Sequence, residues 1–187
     1  MNIEQFRQRF LLQLPQAEPV GKESDRQAAV LLPVIARPQP TLLLTLRSAH
    51  LRNHPGQVAF PGGKQDFSDR SLKETALRET YEELGLTDDK IDVIGQLPTV
   101  SSQTGFRVTP FVAILPPDLP VRVEATEVAM AFEVPLLPLL ESRHFSPLRV
   151  TRNGKLRQVW VSDYPHQLIW GMTAGIIRDL GKQLLGI

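Results

Sequence analysis

Apolar positions recur along this chain with two periods, and the switches between them outline the elements. From Met1 to Gln13, Phe6, Phe10, Leu11 and Leu12 interleave with Glu4, Arg7 and Arg9, which predicts an amphipathic helix. Pro15 to Arg26 reads as a polar connection. Ala28 to Ile35 and Thr41 to Leu46 are β-branched and Leu-rich runs separated by Arg37-Pro38-Gln39-Pro40, predicting paired strands with the first buried. A basic loop from Arg47 to His54 leads into a short strand, Gln57 to Phe60. Ser71-x-x-Glu74 is a capping-box pattern, so a helix is expected from Leu72, with Leu72, Ala76, Leu77 and Leu84 as its apolar face and Gly85 ending it. Ile91 to Leu97 and Arg107 to Ile114 predict strands around the polar loop Thr99 to Gly105, and Pro116 to Pro120 predicts a turn. Val128 to Val134 predicts a strand and Pro135 to Leu140 a short helix. Asn153-Gly154 between Leu148 to Arg152 and Lys155 to Ser162 is a hairpin signal, and a last helix runs from about Ile169 to Leu185. Strands and helices in mixed order, roughly seven and three or four, imply an α+β or α/β sandwich.

Composition narrows the class without naming a chemistry. The 187 residues suffice for a single domain, 1–187, with a sizeable core. Apolar residues make up 42% and charged residues 22%, the balance of an ordinary globular protein. With 21 basic and 20 acidic side chains the net charge is +1, which argues against general attraction to nucleic acid. No cysteine is present, which excludes disulfides and thiolate metal sites and fits a cytoplasmic location. The N-terminus lacks a signal-peptide pattern, and the longest apolar run, Ala28 to Ala36, is broken by Pro33 and too short to span a bilayer. The expected partners therefore include neither nucleic acid nor membrane.

Chemistry concentrates in residues 78 to 85, Arg-Glu-Thr-Tyr-Glu-Glu-Leu-Gly. Glu79, Glu82 and Glu83 fall at spacings i, i+3 and i+4, so all three leave one stripe of a helix. Like charges so placed destabilise an isolated helix, and Glu82 and Glu83 in its last turn also oppose its dipole. A solvated face, with Arg78 pairing Glu74 and Glu82, is the bland explanation; a hard divalent cation that prefers oxygen ligands is the functional one. The preceding run, Phe60-Pro61-Gly62-Gly63-Lys64, favours the second. A Pro-Gly-Gly turn lets backbone approach a ligand, and its N–H groups can form an anion-binding nest. Together they describe a site for a metal-bound phosphate.

These residues resemble the Nudix box, a glycine and a glutamate followed by Arg-Glu-x-x-Glu-Glu-x-Gly, here over about residues 62–86. Arg78, Glu79, Glu82, Glu83 and Gly85 match; Asp69 stands where the box has glutamate, with one extra residue between it and Arg78. Both departures are familiar in the coenzyme A pyrophosphatase branch. That branch also carries an upstream signature, here Leu43-Leu44-Thr45-Leu46-Arg47-Ser48-Ala49-His50-Leu51-Arg52, Gly56 and Phe60 to Gly63. Weaker similarity extends through Gly105 to Pro110 and Trp170 to Ala174.

The resemblance implies a Nudix fold, an α/β/α sandwich with a mixed sheet between helices and the site on a loop-helix-loop. It also implies Mg²⁺- or Mn²⁺-dependent hydrolysis of coenzyme A or its derivatives to 4′-phosphopantetheine and adenosine 3′,5′-bisphosphate. ADP-ribose or NADH is the alternative substrate, and a non-catalytic nucleotide-binding regulator the alternative class. Glu79 and Glu83 are the first choice as metal ligands, with Glu82 third, and Arg78 is expected to orient a glutamate by a forked contact. The general base is left open; Glu127 is a candidate from a loop opposite the box, and a solvated loop acid is the equal alternative. Arg47, Arg52, His54 and Lys64, with Gly62 and Gly63, form the candidate substrate-binding group. His50, His144 and His166 lack metal-ligand spacing, Trp160 and Trp170 read as core, and a monomer or a homodimer is expected.

Overall fold

The computed structural model describes residues 1–13, 26–102, 104–152, 154–162 and 168–186. A mixed sheet carries the fold. Its long central strand, β1 (Arg26–Ile35), runs parallel to β7 (Phe106–Leu115) along its whole length, from Arg26 against Phe106 to Ile35 against Leu115. Along β7 the far edge is made by β5 (Asp92–Gln96) and the short β6 (Val100–Ser101), both antiparallel.

On its other side β1 meets β2 (Thr41–Arg47) only at Val34–Leu42 and Ile35–Thr41. The two strands then splay apart, and the segment 58–64 fills the gap. Its first part, β3 (Val58–Ala59), pairs with β2, and its second, β4 (Gly62–Lys64), pairs with β1. Pro33 sits at the splay, where a missing N–H costs little because β1 is between partners there; Leu31 N–H already reaches Pro61 O at 2.9 Å. The outer edge is β8 (Val128–Pro135), along β2. The two glycines expected in a turn therefore begin a strand just after Pro61, because β1 needs a ladder partner where β2 has left it.

The alternation along β1 feeds two cores. Leu32 and Val34 face one layer with Phe6, Phe10, Leu139, Ile176, Ile177 and Leu180. Ala29, Leu31 and Ile35 face the other with Ala76, Leu84, Leu86 and Ile91. The first layer is covered by α1 (Ile3–Leu12), α3 (Leu136–Leu140) and α4 (Gly171–Leu185), the second by α2 (Leu72–Leu84). This is the expected α/β/α sandwich. A separate sheet joins β9 (Phe145–Arg152), β10 (Lys155–Ser162) and β11 (Ile169–Trp170).

Some boundaries differ from expectation. The last helix starts at Gly171 because Ile169 and Trp170 pair with β10 instead. Arg152 lies opposite Lys155, the register of a two-residue hairpin whose Gly154 has φ 70°; Asn153 is outside the described residues, as are the 14–25 connection and His166. Trp170 is exposed rather than core, and Trp160 is half-buried under the Arg178 guanidinium, 3.9 Å from its ring centre. No helix among the described residues is long and apolar enough to cross a membrane.

Candidate active site

The helix α2 is held at both ends. Ser71 Oγ accepts from Glu74 N at 3.2 Å, while the Glu74 carboxylate reaches back one residue further than a capping box requires, taking Arg70 N at 2.7 Å. Gly85 adopts the left-handed conformation (φ 67°) and its N–H closes on Tyr81 O. Between the caps, Ala76 and Leu84 are buried as expected, but Thr75, Thr80 and Glu83 are buried with them. Thr80 Oγ1 satisfies itself on Ala76 O at 2.7 Å, so a polar residue enters the core without an orphaned group.

The three acids of the stripe have three fates. The Glu83 side chain is 3% exposed, Glu79 17% and Glu82 51%. The first two face inward toward β4 and the third lies outside, paired to Arg78 Nη1 at 3.1 Å. Burial pushes the Glu83 carboxyl up to about 8, against the Arg47 guanidinium; the Glu79 and Glu127 charges push the same way, and the Gly62 N–H opposes them. Glu79 is raised for the same first reason, with Arg78 opposing and Glu82 and Glu127 adding repulsion.

Among the described residues, Oε2 of Glu83 is buried without a hydrogen-bond partner, and so is Nε of Arg47, whose Nη1 stands 4.0 Å from Glu83 Oε1. One buried carboxylate beside a partly buried one, with an orphaned oxygen and incomplete compensation by cations, is the donor chemistry that a hard divalent ion satisfies. Among the described residues no three acidic, histidine or cysteine side chains close on one point. The fit is therefore to an ion held by one or two carboxylates with water or substrate oxygens completing its shell, as magnesium commonly is.

The glycines explain the approach. A Cβ on Gly63 would overlap the Glu79 carboxylate, and one on Gly62 (φ 149°) would overlap the backbone of Ala29 and Val30. The bare strand lets β4 lie against β1 on one side and receive Glu79 on the other. Close packing, rather than a nest in a turn, is what these two residues supply.

The forked contact of Arg78 is made to Asp69, with Nε to Oδ1 at 2.9 Å and Nη2 to Oδ2 at 3.0 Å, and not to a glutamate. Arg78 also reaches Glu79 Oε1 at 2.9 Å and Lys64 O at 3.1 Å. Asp69 in turn accepts from Thr75 Oγ1 at 2.9 Å and Asp66 N at 2.8 Å. This chain locks the start of α2, the strand β4 and the Glu79 side chain together. Thr75 was legible only as a threonine one turn after the cap, a weak signal.

Of the remaining candidates, Arg47 and Glu127 stand against the pair. Arg47 ends β2 with its head toward Glu83. Ser48 N binds Glu127 O at 2.9 Å, which sets the turn bearing the exposed Glu127 beside Arg47; Glu127 acts on both Glu79 and Glu83 through its charge. Arg52 and His54 are exposed in the β2–β3 loop, His54 at φ 55° with Nδ1 2.9 Å from Gln57 Oε1. Lys64 lies over the Phe106 ring at 5.5 Å, and Arg26 over the same ring at 4.4 Å; Phe106 falls in the Gly105 to Pro110 run noted in the sequence, whereas Arg26 was not singled out as a site residue.

Comparison with known proteins supplies a context for this geometry. The family model described as "NUDIX domain" matches residues 25–162. The Nudix hydrolase NudL of Cronobacter sakazakii, described as uncharacterized, is 50% identical over 184 residues, covering 98% of this chain and 95% of the relative. Its namesake in Escherichia fergusonii is 49% identical over 186 residues, with the same shares covered. Among solved structures, the MutT protein from Methanosarcina mazei aligns with TM-score 0.50 and 27% identity over 64% of this chain and 84% of that one. A C. elegans Ap4A hydrolase in binary complex aligns with TM-score 0.51 and 21% identity over 58% and 80%.

Proposed function

The chain belongs to the NUDIX domain family, and from that premise we propose that it hydrolyses the diphosphate bond of coenzyme A or a derivative of it. The broader activity, hydrolysis of a nucleoside diphosphate joined to another moiety, is the chemistry of the hydrolases it resembles. One observation carries the reading: one turn from the partly buried Glu79, the buried Glu83 has an oxygen with no partner among the described residues and only Arg47, at 4.0 Å, to offset its charge. Such a pair is costly unless a cation and an anionic substrate complete it. The upstream run Leu43 to Arg52, the Phe60 to Gly63 run and Asp69 in the glutamate position support coenzyme A over other substrates.

A bound Mg²⁺ or Mn²⁺ would neutralise the diphosphate and acidify a water. The chain's own residues do the rest. Glu79 and Glu83 would hold the ion, with Glu82, turned out to Arg78 on the same stripe, the third candidate. Arg78, fixed on Asp69, holds Glu79 in place. Arg47, partly exposed and with Nη1 4.0 Å from Glu83 Oε1, would offer its guanidinium charge to a phosphate oxygen. Glu127, exposed across from the pair, takes the proton of the attacking water. Water oxygen bonds to phosphorus, the bridging P–O bond breaks, and the departing phosphate keeps that electron pair.

The test is incubation of the purified protein with coenzyme A and Mn²⁺ in ¹⁸O-labelled water. Release of adenosine 3′,5′-bisphosphate and 4′-phosphopantetheine is expected, with label in one product; intact coenzyme A alongside rapid cleavage of ADP-ribose or NADH would reassign the substrate. Glu79→Gln and Glu83→Gln should each lower turnover by orders of magnitude while the protein stays folded. The same variants should lose the metal-induced rise in Tm, which for wild type at a hundredfold the metal Kd corresponds to about 2.7 kcal/mol.

A further inference from the structure

Away from the carboxylates, a cleft of about 430 Å³ opens between β6, β10 and the first turns of α4, lined by Val100, Ser101, Gln158, Trp160, Met172 and Gly175 among others. Its size lies within the roughly 300–1,000 Å³ of small-molecule sites. Gly175 is its most telling residue. A glycine inside a helix weakens it, and packing usually supplies the reason. On the same helix Gly181 has one, since a Cβ there would come 2.7 Å from Leu140 O. At Gly175 a Cβ would meet nothing within 4 Å, and its backbone is not left-handed. A side chain there would enter the open space that the cleft provides.

The other lining residues indicate what fits. Trp160 has the Arg178 guanidinium over its ring, 3.9 Å from the centroid, so the indole is held firmly from one side. The indole, the Met172 thioether and the bare α4 backbone form an apolar slot suited to a flat ring. Ser101 and Gln158 bring hydroxyl and amide groups to the rim, and a carboxamide can pair with the edge of an adenine-type base.

Both walls are tied to the segment that cradles Glu79. Thr173 Oγ1 donates to Val58 O at 3.0 Å, joining α4 to β3. On the other wall, Phe106 N donates to Ser102 Oγ at 2.8 Å, and the Phe106 ring lies under Lys64 of β4. We infer that this cleft is a base subsite, which receives the purine ring of the substrate's nucleoside half against Trp160 and Met172. The inference rests on the hydrolase reading above and extends it to the group that selects the substrate.

Calorimetric titration of the metal-free protein with adenosine 5′-monophosphate and with ribose 5-phosphate tests it. Wild type should bind the first and not the second. Gly175→Leu, whose Cβ meets nothing within 4 Å and whose side chain would enter the cleft, should weaken the nucleotide at least tenfold while Tm stays level or rises. Trp160→Leu should weaken it as well. With a nucleoside diphosphate substrate, Gly175→Leu should raise KM and spare kcat. Undiminished affinity in Gly175→Leu, equal binding of ribose 5-phosphate, or no binding of the nucleotide by wild type overturns the assignment. Because binding is read without turnover, a protein that binds the nucleotide through this cleft yet cleaves nothing would refute the hydrolase reading and leave the subsite standing.

Discussion

Glu79 and Glu83 stand one turn apart, yet different things hold them. Glu83 is confined by burial, whereas Glu79 rests on the bare Cα of Gly63 and is steered by Arg78. That difference predicts unlike outcomes at neighbouring glycines. Gly63→Ala meets only the tip of a flexible side chain, so it should fold with little change in Tm while activity drops at least tenfold. Gly62→Ala places a Cβ into the backbone of β1 at a positive φ and should cost about 1–3 kcal/mol or more of stability, read by urea unfolding. Spacing along the sequence put the acids on one stripe; it could not say that Glu82 would turn out to Arg78 while Glu83 went dry, because solvent exposure depends on what β4 and β2 bring to the helix.

At the scale of the element, α2 is a short helix carrying an unfavourable load in its last turn, and its N-terminal anchor compensates. The Asp69 side chain, 4% exposed, takes the Arg78 fork, Thr75 and a backbone N–H. Chiefly through Arg78, these contacts hold its carboxyl well below the ordinary range. A carboxylate with a depressed folded pKa adds stability that is fully present above its unfolded value, near 3.8, and is lost as pH falls through the folded one. The metal-free protein should therefore lose stability below about pH 4, and Asp69→Asn, less stable at neutral pH, should show a shallower acid slope over that window. Equal slopes for the two proteins would remove Asp69 from the account. The helix, its start and its glycine stop were legible from local chemistry. The Asp69–Arg78 fork was not, since it closes over a loop whose path is set by β4.

For the whole molecule, one sheet divides two cores, and the small helix α1 seals the one that α2 does not touch. Phe6 is fully buried there, stacked 6.3 Å from Phe10, with Asn2 and Gln5 forming a reciprocal cap at the helix start. Phe6→Ala should cost about 3–5 kcal/mol, measured by denaturant unfolding, and should leave the geometry around Glu83 intact because the sheet stands between them. A loss of activity at low temperature, where the variant is folded, would mean that the layers are coupled. Hydrophobic periodicity and capping signals sufficed for the long strands, the α-helices among the described residues and the sandwich, because each of those buries a face that its own residues define. It also grouped the acids with the glycines. The gap between β1 and β2, the strand made from Gly62 to Lys64, the burial of Glu83 beside Arg47 and the cleft at Gly175 arise where distant segments meet. Local sequence fixes which face of an element is apolar; what that face touches, and which charges are thereby stripped of water, only the assembled sheet decides.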